Sequence, residues 1–128
     1  MIVPVLTSTA DPNAALDTVY FGCNAADSNL SICSNDNAST ATCATLGANF
    51  PCHTSGVAYD FAFWASPNGS SIGYWIRRLV NGSEATGSVT TDLPRNTVQL
   101  GWDINVNTGS TASAVQVHNH GVCWWANP

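Results

Sequence analysis

Residues 59–82 read YDFAFWASPNGSSIGYWIRRLVNG, and their spacing is the strongest indication of the fold. Tyr59, Phe61 and Phe63 occupy every second position, so in a β-strand their side chains share one face. A Ser-Pro-Asn-Gly turn sequence then leads to a second run with the same spacing, and an Asn-Gly pair after that run is typical of a hairpin. The stretch therefore predicts consecutive antiparallel strands. These strands cover 57–65, 72–80 and 86–91. The apolar face of the second strand consists of Ile72, Tyr74, Ile76 and Val80.

The same alternation continues in residues 98–106, where apolar side chains are separated by mostly polar ones. A strand with one apolar and one polar face is typical of an antiparallel sheet that packs on a single core. Trp102 lies in the apolar stripe, so we expect it to be buried. The apolar stripe consists of Val98, Leu100, Trp102, Ile104 and Val106. The predicted core is Tyr59, Phe61, Phe63, Ile72, Tyr74, Ile76, Val98, Leu100, Trp102 and Ile104.

The first half of the chain is less regular, and no segment carries an apolar stripe with helical spacing. Asp11 and Pro12 are suited to begin one helical turn over residues 11–17. We expect one domain over residues 1–128, with residues 1–18 as an arm or edge segment. Its predicted fold is an all-β antiparallel sandwich of the jelly-roll kind. Short strands are predicted at 17–22, 29–33 and 40–45.

Charged residues form only 9% of the chain, there is no lysine, and the net charge is −5. Nucleic-acid binding needs a basic surface, which Arg77, Arg78 and Arg95 cannot supply. Membrane insertion is not expected either, because no apolar run is long enough to span a bilayer. A surface with so few charges keeps monomers apart poorly, so it favours burial within a larger assembly.

The five cysteines are Cys23, Cys33, Cys43, Cys52 and Cys123. They include no Cys-x-x-Cys pair, which makes a zinc site a weak hypothesis. The favoured interpretation is that most of them are small buried hydrophobic residues. The alternative is one or two disulfides, whose pairing the sequence does not determine, and the odd number leaves at least one cysteine unpaired within a monomer.

His118 and His120 are two positions apart, so in a strand both imidazoles project to the same side. Two ligands are too few for a closed metal site, but a three-fold axis would supply six, which suits an octahedral ion such as iron. The more ordinary interpretation is a pair of polar histidines on a solvent face or at a subunit contact. Apart from this possible iron, no cofactor is expected.

Trp75 falls opposite the apolar face of its strand, so we expect an exposed or interface ring. Trp124 and Trp125 are expected to dock against a neighbouring subunit, and any of these three rings is also a candidate for glycan contact. No catalytic constellation accompanies them. Glu84 is the single glutamate, the aspartates are scattered, and no Gly-x-Ser-x-Gly motif occurs. The sequence therefore does not predict an enzyme.

One family resemblance covers most of the chain. Residues 58–100, AYDFAFWASPNGSSIGYWIRRLVNGSEATGSVTTDLPRNTVQL, and the later NTGSTASAV resemble a β-sandwich module of tailed-bacteriophage virion proteins. The upstream VYFGCNAADSNLSI and LGANFP look like further strands of that module. The chain departs from it in having few residues before Val19 and a Gly-Val-Cys-Trp-Trp ending. The resemblance implies a homotrimer without catalytic residues, assembled in the host bacterial cytoplasm and placed on the virion exterior.

Three functions follow as hypotheses. The first is a trimeric capsid decoration (cement) protein that binds the major capsid protein or other virion subunits and stabilises the head. The second is the tip of a tail or head fibre that binds a host surface glycan. The third and most remote is a surface hydrolase.

Overall fold

The computed structural model describes residues 2–4, 15–24, 26–38, 40–98, 100–102 and 121. These residues form eight β-strands and no helix, so the all-β prediction is confirmed for the described part of the chain. It follows that no helix there is long and apolar enough to cross a membrane. The strands are β1 (Ile2–Pro4), β2 (Thr18–Gly22), β3 (Ser31–Asn35), β4 (Thr42–Thr45), β5 (Tyr59–Ala65), β6 (Ile72–Arg78), β7 (Glu84–Val89) and β8 (Leu100–Trp102).

The larger sheet has five strands in the order β4-β3-β2-β1-β8. Neighbouring strands are antiparallel, with Ile2 opposite both Val19 and Trp102. The sequence predicts an arm or edge segment over residues 1–18, whereas β1 lies inside the sheet between β2 and β8. The predicted helical turn at 11–17 falls largely outside the described residues.

The smaller sheet has three antiparallel strands in the order β5-β6-β7. Its first turn is closed by the Gly69 N–H, which donates to the Ser66 carbonyl at 2.9 Å. Asn68 has a φ of 54°, a left-handed conformation that asparagine tolerates better than most residues. The second turn begins earlier than predicted: β6 ends at Arg78, and Val80 is 63% exposed instead of sharing the inner face of the strand.

An aromatic cluster joins the two sheets. The Phe21 ring on β2 lies 4.9 Å from the Phe63 ring and 5.5 Å from the Phe61 ring, both on β5. The Tyr74 ring on β6 contacts Phe21 edge-on at 5.7 Å. Because these rings come from opposite sheets, the described strands have a β-sandwich-like arrangement.

Most of the buried side chains in the described part of the chain come from its irregular first half. Val19 and Ile32 are 0% and 5% exposed, and Phe50 is 3% exposed. Among the predicted core residues, Ile76 is buried. The others whose side chains are described are half-buried: Tyr59, Phe61, Phe63, Ile72, Tyr74 and Val98. Leu100 and Trp102 lie in β8, but their side chains, and the whole of Ile104, lie outside the description.

Four of the five cysteines form disulfides, which overturns the expectation of buried thiols. Cys33 and Cys43 are directly opposite each other on β3 and β4, with Cα atoms 4.1 Å apart. Cys23 and Cys52 link the end of β2 to the loop before β5. The strand register brings Cys33 opposite Cys43, whereas Cys23 and Cys52 meet outside the strands, and neither pairing is visible in the linear spacing. Cys123 lies outside the described residues.

Candidate functional site

The face of the β5-β6-β7 sheet that points away from the aromatic cluster is the candidate site, and we call it the outer face. Strand register arranges it in three rows of three residues. Eight of the nine residues are exposed or half-exposed, and the ninth, Gly73, is covered. The rows are Asp60-Arg77-Glu84, Ala62-Trp75-Thr86 and Trp64-Gly73-Ser88.

The first row is charged and lies beside the turn between β6 and β7. Arg77 stands between Asp60 and Glu84, and its Nε is 3.7 Å from Glu84 Oε1. Both side chains of that ion pair are about half exposed, so water screens their attraction. The row gives one end of the outer face its polar character.

The middle row places Trp75 on the outer face, half-exposed, between Ala62 and Thr86. The sequence predicts an exposed or interface ring at this position. The Thr86 hydroxyl donates to the Tyr74 carbonyl at 3.0 Å, which fixes the threonine beside the tryptophan. The ring therefore occupies the centre of the outer face.

The third row contains Trp64, whose side chain is 53% exposed. A Cβ at Gly73 would overlap the indole atoms Nε1, Cε2 and Cζ2, so the ring lies directly over the glycine on the next strand. A side chain at this position would displace the indole from the sheet. Trp64 is thus held flat against the backbone while about half of it faces solvent.

A shallow groove of about 530 Å³ runs beside this ring, and we call it the Trp64 groove. Its floor is Gly73 with the backbone of β7, and its rim comes from the turn between β5 and β6. Among its described lining residues none is charged. The lining consists of Trp64, Ala65, Ser66, Gly69, Ser70, Ser71, Gly73, Gly87 and Ser88.

Arg78, which follows Arg77 in β6, points to the other side of the sheet. Arg78 is half-buried, and its Nη1 donates to the Asn49 carbonyl at 3.4 Å. Tyr59, beside it, donates its hydroxyl to the Pro51 carbonyl at 2.7 Å, and burial raises the pKa of this tyrosine. The two arginines thus point to opposite sides, as alternation predicts, and Arg78 anchors the loop before β5.

The end of the smaller sheet that lies away from the Trp64 groove, beside the charged row, carries an apolar hairpin tip. Leu79 and Val80 follow β6 and are 49% and 63% exposed. The backbone holds them there, because the Arg78 N–H donates to the Ser83 carbonyl and the Gly82 N–H to the Arg78 carbonyl. Two adjacent exposed aliphatic residues at a turn, where polar residues are usual, mark a second candidate contact surface. We call it the Leu79–Val80 tip.

A second cavity lies on the face of the larger sheet that points away from the aromatic cluster. It measures about 140 Å³ and touches both disulfides through Cys23, Cys33 and Cys43. Asp27 lines it and accepts a hydrogen bond from the Asn24 N–H at 2.8 Å. Its small size leaves it less room for a ligand than the Trp64 groove has.

Several predicted site residues lie outside the described residues: Trp124, Trp125, His118 and His120. The possible iron site therefore stays a prediction. In the described ranges no three His, Cys, Asp or Glu side chains are grouped as metal ligands.

Sequence reasoning did not single out Trp64. The signal was present in the sequence. Trp64 directly follows Phe63, and adjacent residues of a strand point to opposite faces, so Trp64 must point away from Phe61 and Phe63. What the sequence did not show is the register that places Gly73 under the ring. Comparison of the chain with protein-family models, with curated proteins and with solved structures finds no match.

Proposed function

We propose that this chain is a non-enzymatic surface protein of a tailed-bacteriophage virion, a trimeric decoration (cement) protein that binds the capsid and stabilises the head. Within the trimer each chain forms a jelly-roll-like sandwich. The proposal starts from the resemblance of residues 58–100 to virion modules. The structure contributes a further reason, which is the position of the apolar tip.

The Leu79–Val80 tip is the observation that carries the proposal. It lies at one end of β6, and the Trp64 groove lies at the other, about 20 Å away at the usual rise of a strand. A decoration protein needs one end that contacts the capsid and another that faces outward. Exposed aliphatic side chains at a fixed hairpin supply a contact of the first kind, since burying them against a partner is favourable.

The two disulfides fit a place on the virion exterior. Disulfides persist in oxidising surroundings, including virion surfaces, and are rare in the cytosol, where thiols are kept reduced. A protein assembled in the bacterial cytoplasm would therefore close Cys23–Cys52 and Cys33–Cys43 after the particle leaves the cell. The scarcity of charge supports the trimer, because subunit contacts would cover much of an uncharged surface.

Two other functions are alternatives. The tip of a tail or head fibre that binds a host glycan is favoured by one observation, the solvent-facing ring of Trp64. A surface hydrolase is remote, and it would draw on Asp60 and Glu84, which the register places on the outer face on either side of Arg77.

Reconstitution on capsids tests the proposal. The purified chain is mixed with undecorated heads of its virus, and bound protein is measured by co-sedimentation and located by cryo-electron microscopy. We expect trimers at fixed capsid positions and heads that melt at a higher temperature. Val80→Asp should abolish binding, whereas Ser88→Asp, at the other end of the sheet, should leave it intact. The proposal would be contradicted if the wild-type protein does not bind the capsid, or if the Val80→Asp variant binds it as the wild type does.

A further inference from the structure

We propose that the Trp64 groove binds a neutral carbohydrate, with one sugar ring stacked on the solvent-facing side of the Trp64 indole. The inference rests on the proposed role as a non-enzymatic surface protein, but not on any position on the particle. Head decoration itself requires no glycan, so a sugar site would be an additional activity of this surface.

The first argument is the way the Trp64 indole lies on the sheet. Gly73 lies under one side of the indole, and the side chain is still 53% exposed. A tryptophan held flat in this way presents a rigid apolar surface, and little conformational freedom is lost when a ligand covers it. The C–H groups on one side of a pyranose ring form a flat apolar patch that matches such a surface.

The second argument is the rim of the groove. Ser66, Ser70 and Ser88 are exposed, and Ser71 is half-exposed, so hydroxyl groups surround the indole. Each hydroxyl both donates and accepts a hydrogen bond, as do the hydroxyls of a sugar. An apolar platform with convergent small polar groups is the usual composition of a small-ligand site, and about 530 Å³ lies within the usual volume range.

The third argument is charge, which selects the class of sugar. The charged row of the outer face lies at the other end of the sheet, two rows from Trp64. The described lining residues therefore offer no cation for a sulfated, phosphorylated or sialylated glycan. Neutral hexoses and N-acetylhexosamines match the groove best.

Glycan binding is measured on the purified, oxidised full-length chain. An array of neutral and acidic oligosaccharides identifies the sugar, and calorimetry with that sugar gives the affinity. We expect neutral glycans to bind and acidic ones to bind no better. Trp64→Ala should weaken binding at least about tenfold, a typical effect of removing a buried aromatic anchor.

Three further variants separate stacking from folding. Trp64→Phe should retain most of the affinity. Gly73→Ala should lose affinity although the tryptophan remains, because the new Cβ displaces the ring. Glu84→Gln, in the charged row, should bind like the wild type. If Trp64→Ala does not fold, the shift of the Trp64 indole N–H resonance on titrating wild-type protein replaces it.

Three results would overturn the inference. One is an array on which no neutral glycan binds. Another is neutral binding that Trp64→Ala leaves intact with no shift of its indole resonance. The last is loss of self-association in Trp64→Ala without any glycan effect, which would assign the groove to a second copy of the chain. Capsid binding is not measured here, so failure of this inference leaves the proposed decoration role open.

Discussion

Asp17 and Arg95 are 78 positions apart, and the carboxylate of Asp17 accepts hydrogen bonds from both the backbone and the side chain of Arg95. The Arg95 backbone N–H lies 2.9 Å from Asp17 Oδ1, and Nε lies 3.0 Å from the same oxygen. Nη2 contacts the second oxygen, which makes the pair bidentate. Asp17 is 2% exposed and precedes β2, so the pair fastens the loop after β7 to the start of the larger sheet.

Removing the charge of Asp17 should destabilise the fold. Asp17→Asn keeps an acceptor for the Arg95 backbone and tolerates the positive φ of 52°, but it loses the charge-assisted bonds. We expect a loss of about 1.5 kcal/mol in unfolding free energy, at the low end for charged hydrogen bonds because Arg95 is half exposed. Urea unfolding measures the loss. Glu84→Gln breaks the exposed ion pair with Arg77 and serves as the control, with a much smaller effect. Equal losses would show that the Asp17 pair has no special role.

The same pair should make stability depend on acid. Its hydrogen bonds to the Arg95 side chain hold the pKa of Asp17 below the ordinary value of 3.8, against the opposing effect of burial. A carboxyl whose folded pKa is depressed stabilises the fold above the unfolded pKa, and this contribution is lost as pH falls through the folded pKa. Urea midpoints measured from neutral pH downward should therefore fall below about pH 4. Asp17→Asn should show a shallower fall, and parallel curves would contradict the assignment.

The two disulfides should differ in their contribution. Cys23–Cys52 closes a loop of 29 residues and Cys33–Cys43 one of 10. Chain entropy predicts about 3.6 and 2.7 kcal/mol, so removing the first pair with serines should cost about 1 kcal/mol more. Thermal unfolding of the two double-serine variants measures this difference. Peptic digestion without reductant checks the pairing, and a Cys23–Cys33 or Cys43–Cys52 peptide would show that the strand register is wrong.

The alternating second half of the chain could be predicted, and the first half only in part. Each of β5 and β6 has one inward and one solvent-facing side, so its pattern is visible in the sequence. In β2, Thr18, Val19 and Tyr20 are all buried. A strand that is buried on both sides and contains a polar residue shows no two-residue period, so its place in the core was hidden.

For the candidate site, the sequence predicts which face of a strand each side chain lies on, but not which residues lie beside it on the next strand. Alternation placed Trp75 away from the inner face, and the same rule applied to Trp64. The groove depends on Gly73 lying opposite Trp64, which is a fact of register. The disulfide partner of Cys33 and the ion pair of Asp17 have the same origin, because contacts between distant segments exist only after the strands have paired.

Truncation of an inner aromatic residue should cost more stability than truncation of an outer one. Phe21 is half-buried and contacts Phe61, Phe63 and Tyr74 between the sheets, so Phe21→Ala removes these ring contacts and part of the buried apolar surface. We expect a loss of about 2 kcal/mol, less than for a fully buried phenylalanine. Trp64→Ala removes a larger side chain, but one that lies over Gly73 on the solvent side, so its cost in stability should be well below that of Phe21→Ala.

Denaturant unfolding of both variants, followed by circular dichroism, gives the comparison. If Trp64→Ala is the more damaging change, the outer face of the β5-β6-β7 sheet is part of the core and does not face solvent. The sandwich-like arrangement and the Trp64 groove would then both be wrong. If Phe21→Ala is the more damaging change, the sheet does not depend on the Trp64 indole for its stability. The indole can then serve recognition instead of folding.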